Sequence, residues 1–283
     1  MAIVENLVIV FIAGLITALA TGLGAIPFFF FKDISDRWTV GLWGLASGIM
    51  LSASLFGLVF EGLGLQSISF ILENGNLVSI VSLRELFSVS VGALIGAAVV
   101  IAADKIIHSH EFKPREIAEA DFKKMMIILG ILTVHSFPEG VAIGVAFADL
   151  GLNQGIPILG VTLPLLAVFM TIAISIHNIP EGLAISIPLR DLGMSEWRMV
   201  GAAIFSSLPQ PIGAILAYYF VTLAREFLPY GFGFAAGAMV LLVLRELIPE
   251  ALERGESLPG GGRKELYTGI FIGFVSMLPL MLF

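Results

Sequence analysis

No cysteine occurs in the 283 residues, and charge is sparse, at 13% against 58% hydrophobic residues. The missing thiols exclude disulfides and thiolate ligands, so any metal must be held by imidazole, carboxylate, amide, hydroxyl or thioether groups. The missing charge excludes an ordinary water-soluble domain, whose surface needs far more of it. No G-x-x-x-x-G-K-[ST] loop is present, which argues against ATP hydrolysis within the chain. The formal net charge of -7 counts weakly against nucleic acid as a partner. No basic stretch precedes the first apolar run and no small-residue cleavage site follows it, so Leu7 to Phe31 reads as a retained span.

What is present is apolar sequence in long runs, with a mean hydropathy of +1.00. Eight runs are long enough for roughly 30 Å of hydrocarbon. They extend from Leu7 to Phe31, Val40 to Phe60, Leu86 to Ala103, Met125 to Ala148, Ile156 to Leu189, Met199 to Ala224, Phe227 to Leu252 and Leu266 to Phe283. The fifth is too long for one straight span, so its start around Pro157 to Pro164 is expected to be loop or a kinked lead-in. The runs are apolar on every face rather than alternating, which disfavours a membrane β-barrel. The expectation is an all-α, polytopic membrane protein forming one domain over residues 1–283.

Basic residues orient the spans. Lys32, Arg37, Lys105, Lys113, Arg115, Lys123, Lys124, Arg190, Arg198, Arg254, Arg263 and Lys264 fall in one set of alternate linkers, while the other set holds only Arg84 and Arg225. Both termini are therefore expected outside, and the linker of about 104–124 in the cytoplasm. The chain then sits as a multi-pass protein in the cell membrane, with the lipid bilayer as a partner; a homodimer is left open.

One internal repeat stands out. His135-Ser136-Phe137-Pro138-Glu139-Gly140 in the fourth run recurs as His177-Asn178-Ile179-Pro180-Glu181-Gly182 in the fifth. Consecutive spans run in opposite directions, so the H-x-x-P-E-G motif in both implies a pseudo-two-fold axis in the membrane plane, the layout of an inverted-repeat transporter. A glutamate at mid-bilayer costs about 2.5 to 3.5 kcal/mol on insertion scales. No lysine or arginine in either span compensates for it, which leaves a cation, protonation or a water-filled cavity. His and Glu four positions apart share a helix face, so each helix can offer one imidazole nitrogen and one carboxylate oxygen to an ion. Proline at the centre frees the carbonyls of Val134 and Ile176, and Gly140 and Gly182 permit close helix approach. Ser136 and Asn178 add oxygen donors beside the histidines. An intramembrane His or Glu can also be a plain interhelical hydrogen-bonding device, but the same constellation twice is hard to produce that way.

At these residues the sequence resembles the ZIP (Zrt/Irt-like protein) family of divalent-metal transporters, in particular its GufA-like bacterial and archaeal branch. Gly48-Ile49-Met50-Leu51-Ser52-Ala53-Ser54, Gln210-Pro211-Ile212-Gly213 and Glu246-Leu247-Ile248-Pro249-Glu250-Ala251 support the likeness. The resemblance implies eight helices in a 3+2+3 inverted repeat and a metal site between the fourth and fifth. One ion would use His135, Glu139, His177 and Glu181, with the Met50 sulfur nearby. A second would share Glu139 and Glu181 and add Ser136, Asn178 and Gln210. Gln210 stands where the family usually carries glutamate, and two divalent ions about 4 Å apart repel strongly even at an effective dielectric near 20. One tightly held ion is therefore expected.

Asp104, His108 and His110 end the third span, and Glu246 and Glu250 lie one turn apart in the seventh. By the same resemblance they form an exit or sensing site, although solvated helix-end charge accounts for them equally well. Gly44, Gly48, Gly92 and Gly96, at four-residue spacing, read as helix-packing surfaces. The function expected is transport of divalent metal, zinc first and then iron, manganese or cadmium, with the metal as substrate and no cofactor; the resemblance implies uptake into the cytoplasm by alternating access. Imidazole with carboxylate suits borderline ions, whereas calcium and magnesium prefer all-oxygen shells. The rival from another class is an intramembrane zinc hydrolase; the chain lacks H-E-x-x-H, and its donors come in two equivalent sets.

Overall fold

The computed structural model describes residues 2–31, 34–65, 81–109, 136–151, 155–158 and 160–278. In chain order, α1 is Ala2–Leu23, α2 is Asp36–Gly62, α3 is Leu83–Ser109 and α4 is 136–146. They are followed by α5, Leu165–Asp191, α6, Glu196–Leu223, and α7, Arg225–Arg254, and by α8, Arg263–Met277. Among the described residues six stretches are long and apolar enough to cross a bilayer: Ile3–Phe29, Asp36–Gly62, Leu83–Ala102, Leu165–Arg190, Glu196–Leu223 and Arg225–Arg254. The described part of α4 and the 15-residue α8 fall short of that length. Residues 125–135 of the expected fourth run lie outside the described residues.

Local sequence explains most boundaries. Ser82 and Glu85 form a reciprocal capping box at the start of α3, the Glu85 carboxylate accepting from the Ser82 N–H and the Ser82 hydroxyl accepting from the Glu85 N–H. Glu85 is thus a helix cap, and α3 starts three residues before the expected Leu86. At its far end α3 continues to Ser109, so the linker that begins at Asp104 starts as helix. Gly260, Gly261 and Gly262 all hold positive φ, near 70°, so the glycine cluster supplies the left-handed turn that starts α8.

The excess length of the fifth run is a small β-hairpin. Ile156–Ile158 pairs antiparallel with Val161–Leu163 around Gly160, an exception to the all-α expectation. Pro157 and Pro164 lack the N–H an earlier helix would need, and α5 begins directly after Pro164. Single π-turns interrupt α2 at Ala53–Val59 and α7 at Val243–Leu247, and α6 is broken at Ser207 and Leu208.

Packing places the centre. Along α4 every residue from Pro138 to Ala148 is buried, because α6 closes on it where Gly140 and Gly144 meet the carbonyls of Gln210 and Ala214. Gly182 of α5 lies in the same way against the Thr21 carbonyl and Gly24 at the end of α1. Elsewhere α8 runs along α2, and α7 along α3. A Cβ added at Gly44 or Gly48 would strike the carbonyls of Leu266 or Ile270, and one at Gly92 or Gly96 those of Tyr230 or Phe234. The four glycines are packing surfaces, as their spacing predicts.

Candidate metal centre

The motif halves converge. Glu139 on α4 and His177 and Glu181 on α5 are 2%, 2% and 7% exposed, and one donor atom from each lies within 4.8 Å of the others. His177 Nε2 hydrogen-bonds Glu139 Oε1 at 3.0 Å and lies 3.8 Å from Glu181 Oε2. The i,i+4 spacing of His177 and Glu181 across Pro180 puts both on the face turned to α4. Among the described residues, Glu181 Oε2 and His177 Nδ1 are buried without a hydrogen bond. Buried polar atoms of that kind are costly, and two carboxylates beside one imidazole form a donor set that a borderline divalent cation satisfies.

A polar chain fixes Glu139 from behind. Gln210 on α6, wholly buried, donates its amide N–H to Glu139 Oε2 at 2.5 Å. Asn178 Nδ2 donates both to Gln210 Oε1 at 3.0 Å and to the Thr17 carbonyl of α1 at 2.7 Å. The Gln210 oxygen therefore faces Asn178 and its nitrogen faces the carboxylate, so an ion beside Gln210 would need that amide to turn over. Thr21 Oγ1 donates to Ser207 Oγ at 2.8 Å and adds a second polar tie between α1 and α6.

A cavity of about 40 Å³ adjoins the cluster, bounded by Met50, Glu139, His177, Glu181, Glu246 and Glu250, among others. Met50 lies on the cavity wall with the cluster, and Glu246, from the π-turn of α7, lies there too. Ala184 and Glu250 also border a wider vestibule of about 900 Å³, whose wall includes Asp36, Glu253 and Glu256. Arg254 Nε pairs with Asp36 Oδ1 across it at 2.7 Å.

The fully buried Ser136 sits one turn before Glu139. His135 and His110 lie outside the described residues. Asp104 and His108 fall on the last turns of α3, with side chains outside the description. Sequence reasoning missed Thr17, Glu253 and Glu256. The last two follow Glu250 at three-residue intervals, a readable signal; a backbone carbonyl such as that of Thr17 leaves none.

Comparison with known proteins identifies the family. The family profile described as ZIP zinc transporter matches residues 113–281. This chain belongs to the ZIP zinc transporter family. A ZIP relative from Myxococcus xanthus, zinc transporter GufA, is 30% identical over 271 residues, 95% of this chain and 96% of that protein. Zinc transporter ZIPB of Bordetella bronchiseptica is 31% identical over 261 residues, 92% of this chain and 76% of ZIPB. A longer relative from Arabidopsis thaliana is 37% identical over 238 residues, 83% of this chain but 33% of that protein. The ZIP likeness thus spans nearly the whole chain, and it favours a transporter over the hydrolase, which none of these comparisons supports.

Proposed function

We propose that this chain carries divalent metal ions, zinc first, across the cell membrane into the cytoplasm by alternating access through the buried His/Glu cluster. The observation that carries this reading is the convergence of Glu139, His177 and Glu181, each with a donor atom within 4.8 Å of the others. By its place in the repeated H-x-x-P-E-G motif, His135 is the fourth ligand of this proposal. Met50 borders the cavity beside the cluster, Gln210 backed by Asn178 holds Glu139 in place, and Ser136, Asn178 and Gln210 supply at most a weak second position. Glu246, with Asp104, His108 and His110, marks the way out.

Eight spans in an inverted 3+2+3 repeat, with both termini outside, are part of the same proposal. Paired features support it: α4 meets α6 as α5 meets α1, each through a motif glycine, and α2 and α7 each carry one π-turn. The vestibule lies at the end holding Asp36 and Arg254, which the basic linkers assign to the cytoplasm. Continuity through Ala184 and Glu250 makes it the release side. The protein works as a single transmembrane domain, and a homodimer is compatible with it.

Radiolabelled zinc uptake into proteoliposomes tests this. The unmodified protein should accumulate zinc, and a correctly folded Glu181→Ala variant should lose it. Equal uptake by the two would overturn the assignment.

A further inference from the structure

On the flank of the α2–α8 pair, away from the metal route, lies a groove of about 550 Å³. Its floor is bare backbone, because Gly41 and Gly269 meet there: a side chain on Gly269 would strike the Gly41 carbonyl, whereas nothing stands within 4 Å of a Cβ placed on Gly41. Leu45 and Ile272 form apolar walls, and Ile272 is 52% exposed. Arg37, Lys264 and Glu265 stand at the mouth, with Trp38, 71% exposed, beside them.

The charges at that mouth do not cancel. Arg37 Nε pairs with Glu265 Oε1 at 3.0 Å, with the Arg37 side chain 64% exposed and that of Glu265 only 15%. Lys264 is exposed and has no ion-pair partner among the described residues. One surplus cation and an indole therefore crown an apolar channel on a face turned to lipid. Indoles favour the headgroup level, and basic residues there attract anionic lipid.

We propose that this groove binds an anionic glycerophospholipid. The phosphate sits at Lys264 and the outward N–H groups of Arg37, and one acyl chain lies over Gly41 and Gly269. A zwitterionic phospholipid brings the same chains, but its ammonium group offsets the phosphate, so the site selects by headgroup charge. The proposal rests on the membrane-protein reading of the family and is independent of the metal centre.

Native mass spectrometry of the purified protein, titrated with phosphatidylglycerol or phosphatidylcholine of identical chains, tests it. Phosphatidylglycerol should be retained more tightly. Lys264→Ala should weaken it about fivefold, the effect of one basic residue near a membrane surface, and leave phosphatidylcholine unchanged. Gly41→Leu fills open space and should weaken both lipids about tenfold by displacing the chain. Unchanged zinc binding in both variants would show an intact bundle. Equal retention of the two lipids, or undiminished phosphatidylglycerol binding by Gly41→Leu, would overturn the site. Efficient Gly41→Cys cross-linking between two copies, whatever the lipid, would assign the groove to a protein interface instead. Loss of zinc binding in the unmodified protein, with lipid selectivity intact, would count against the metal centre and leave this proposal standing.

Discussion

Two groups of helices share glycine-to-carbonyl packing but differ in the side chains that link them. In α1, α4, α5 and α6, the motif glycines bring backbones close, and the space between is filled by a polar chain from Thr17 through Asn178 and Gln210 to Glu139. In α2, α3, α7 and α8, glycine meets carbonyl along the seams, and no chain of hydrogen-bonded side chains like that one is seen among the described residues. Polar contacts inside a bundle are costly unless every partner is satisfied, whereas glycine seams need only shape. In the proposed function, the first group would orient donors for an ion and the second would act as its frame. Two acids cross the divide, since Glu246 and Glu250 of α7 face the cavity beside the cluster.

The comparison can be broken hardest at the glycine seam. Gly48→Leu drives a side chain into the Ile270 carbonyl and the Phe274 backbone, so it should cost about 3 kcal/mol or more and abolish the folded protein in detergent thermal-shift measurements. Gly41→Leu, seven positions earlier on α2 and facing open space, should stay within about 0.5 kcal/mol of the unmodified protein. If both variants melt alike, the seam is not what holds the frame.

Acid should act on the polar group alone. The imidazole nitrogen that would bind metal is hydrogen-bonded to Glu139, and metal must displace any proton held there or on the carboxylates. Zinc affinity should therefore fall as pH is lowered from neutral to mildly acidic, by about tenfold for each proton released per pH unit, while the α2–α8 frame is unmoved. Isothermal titration across that range reads the effect, and a flat profile would remove histidine from the ligand set.

Gln210→Glu gives the subtlest contrast. The native amide donates to Glu139, and an ionised carboxylate cannot. The variant places two like charges in contact unless a cation enters between them, so a second zinc should bind more tightly than in the unmodified protein. Slower turnover should accompany it in the uptake assay. Identical stoichiometry and rate would mean that the amide has no part in limiting the site to one ion.

Much of this was legible in the residues. Run lengths located six of the eight expected runs as membrane-length helices among the described residues, with ends up to nine positions away, and helical periodicity in H-x-x-P-E-G put His177 and Glu181 on one face. The capping box at Ser82 and Glu85 is readable from its S-x-x-E spacing. Other features were not available to a one-dimensional reading. The orientation of Gln210 depends on Asn178, 32 positions away, and the hold on Asn178 depends on a backbone carbonyl of α1. The π-turns, the break in α6 and the hairpin at Ile156–Leu163 are set by packing and by prolines whose effect depends on their surroundings. The vestibule forms only when α2 and α7 close around it.

The most direct measurement is anomalous scattering at the zinc edge from crystals soaked in zinc. The account predicts one strong peak about 2.0 to 2.2 Å from Glu139, His177 and Glu181 donor atoms, with little or no density beside Gln210. A principal peak elsewhere, or two equally occupied peaks between α4 and α5, would contradict it.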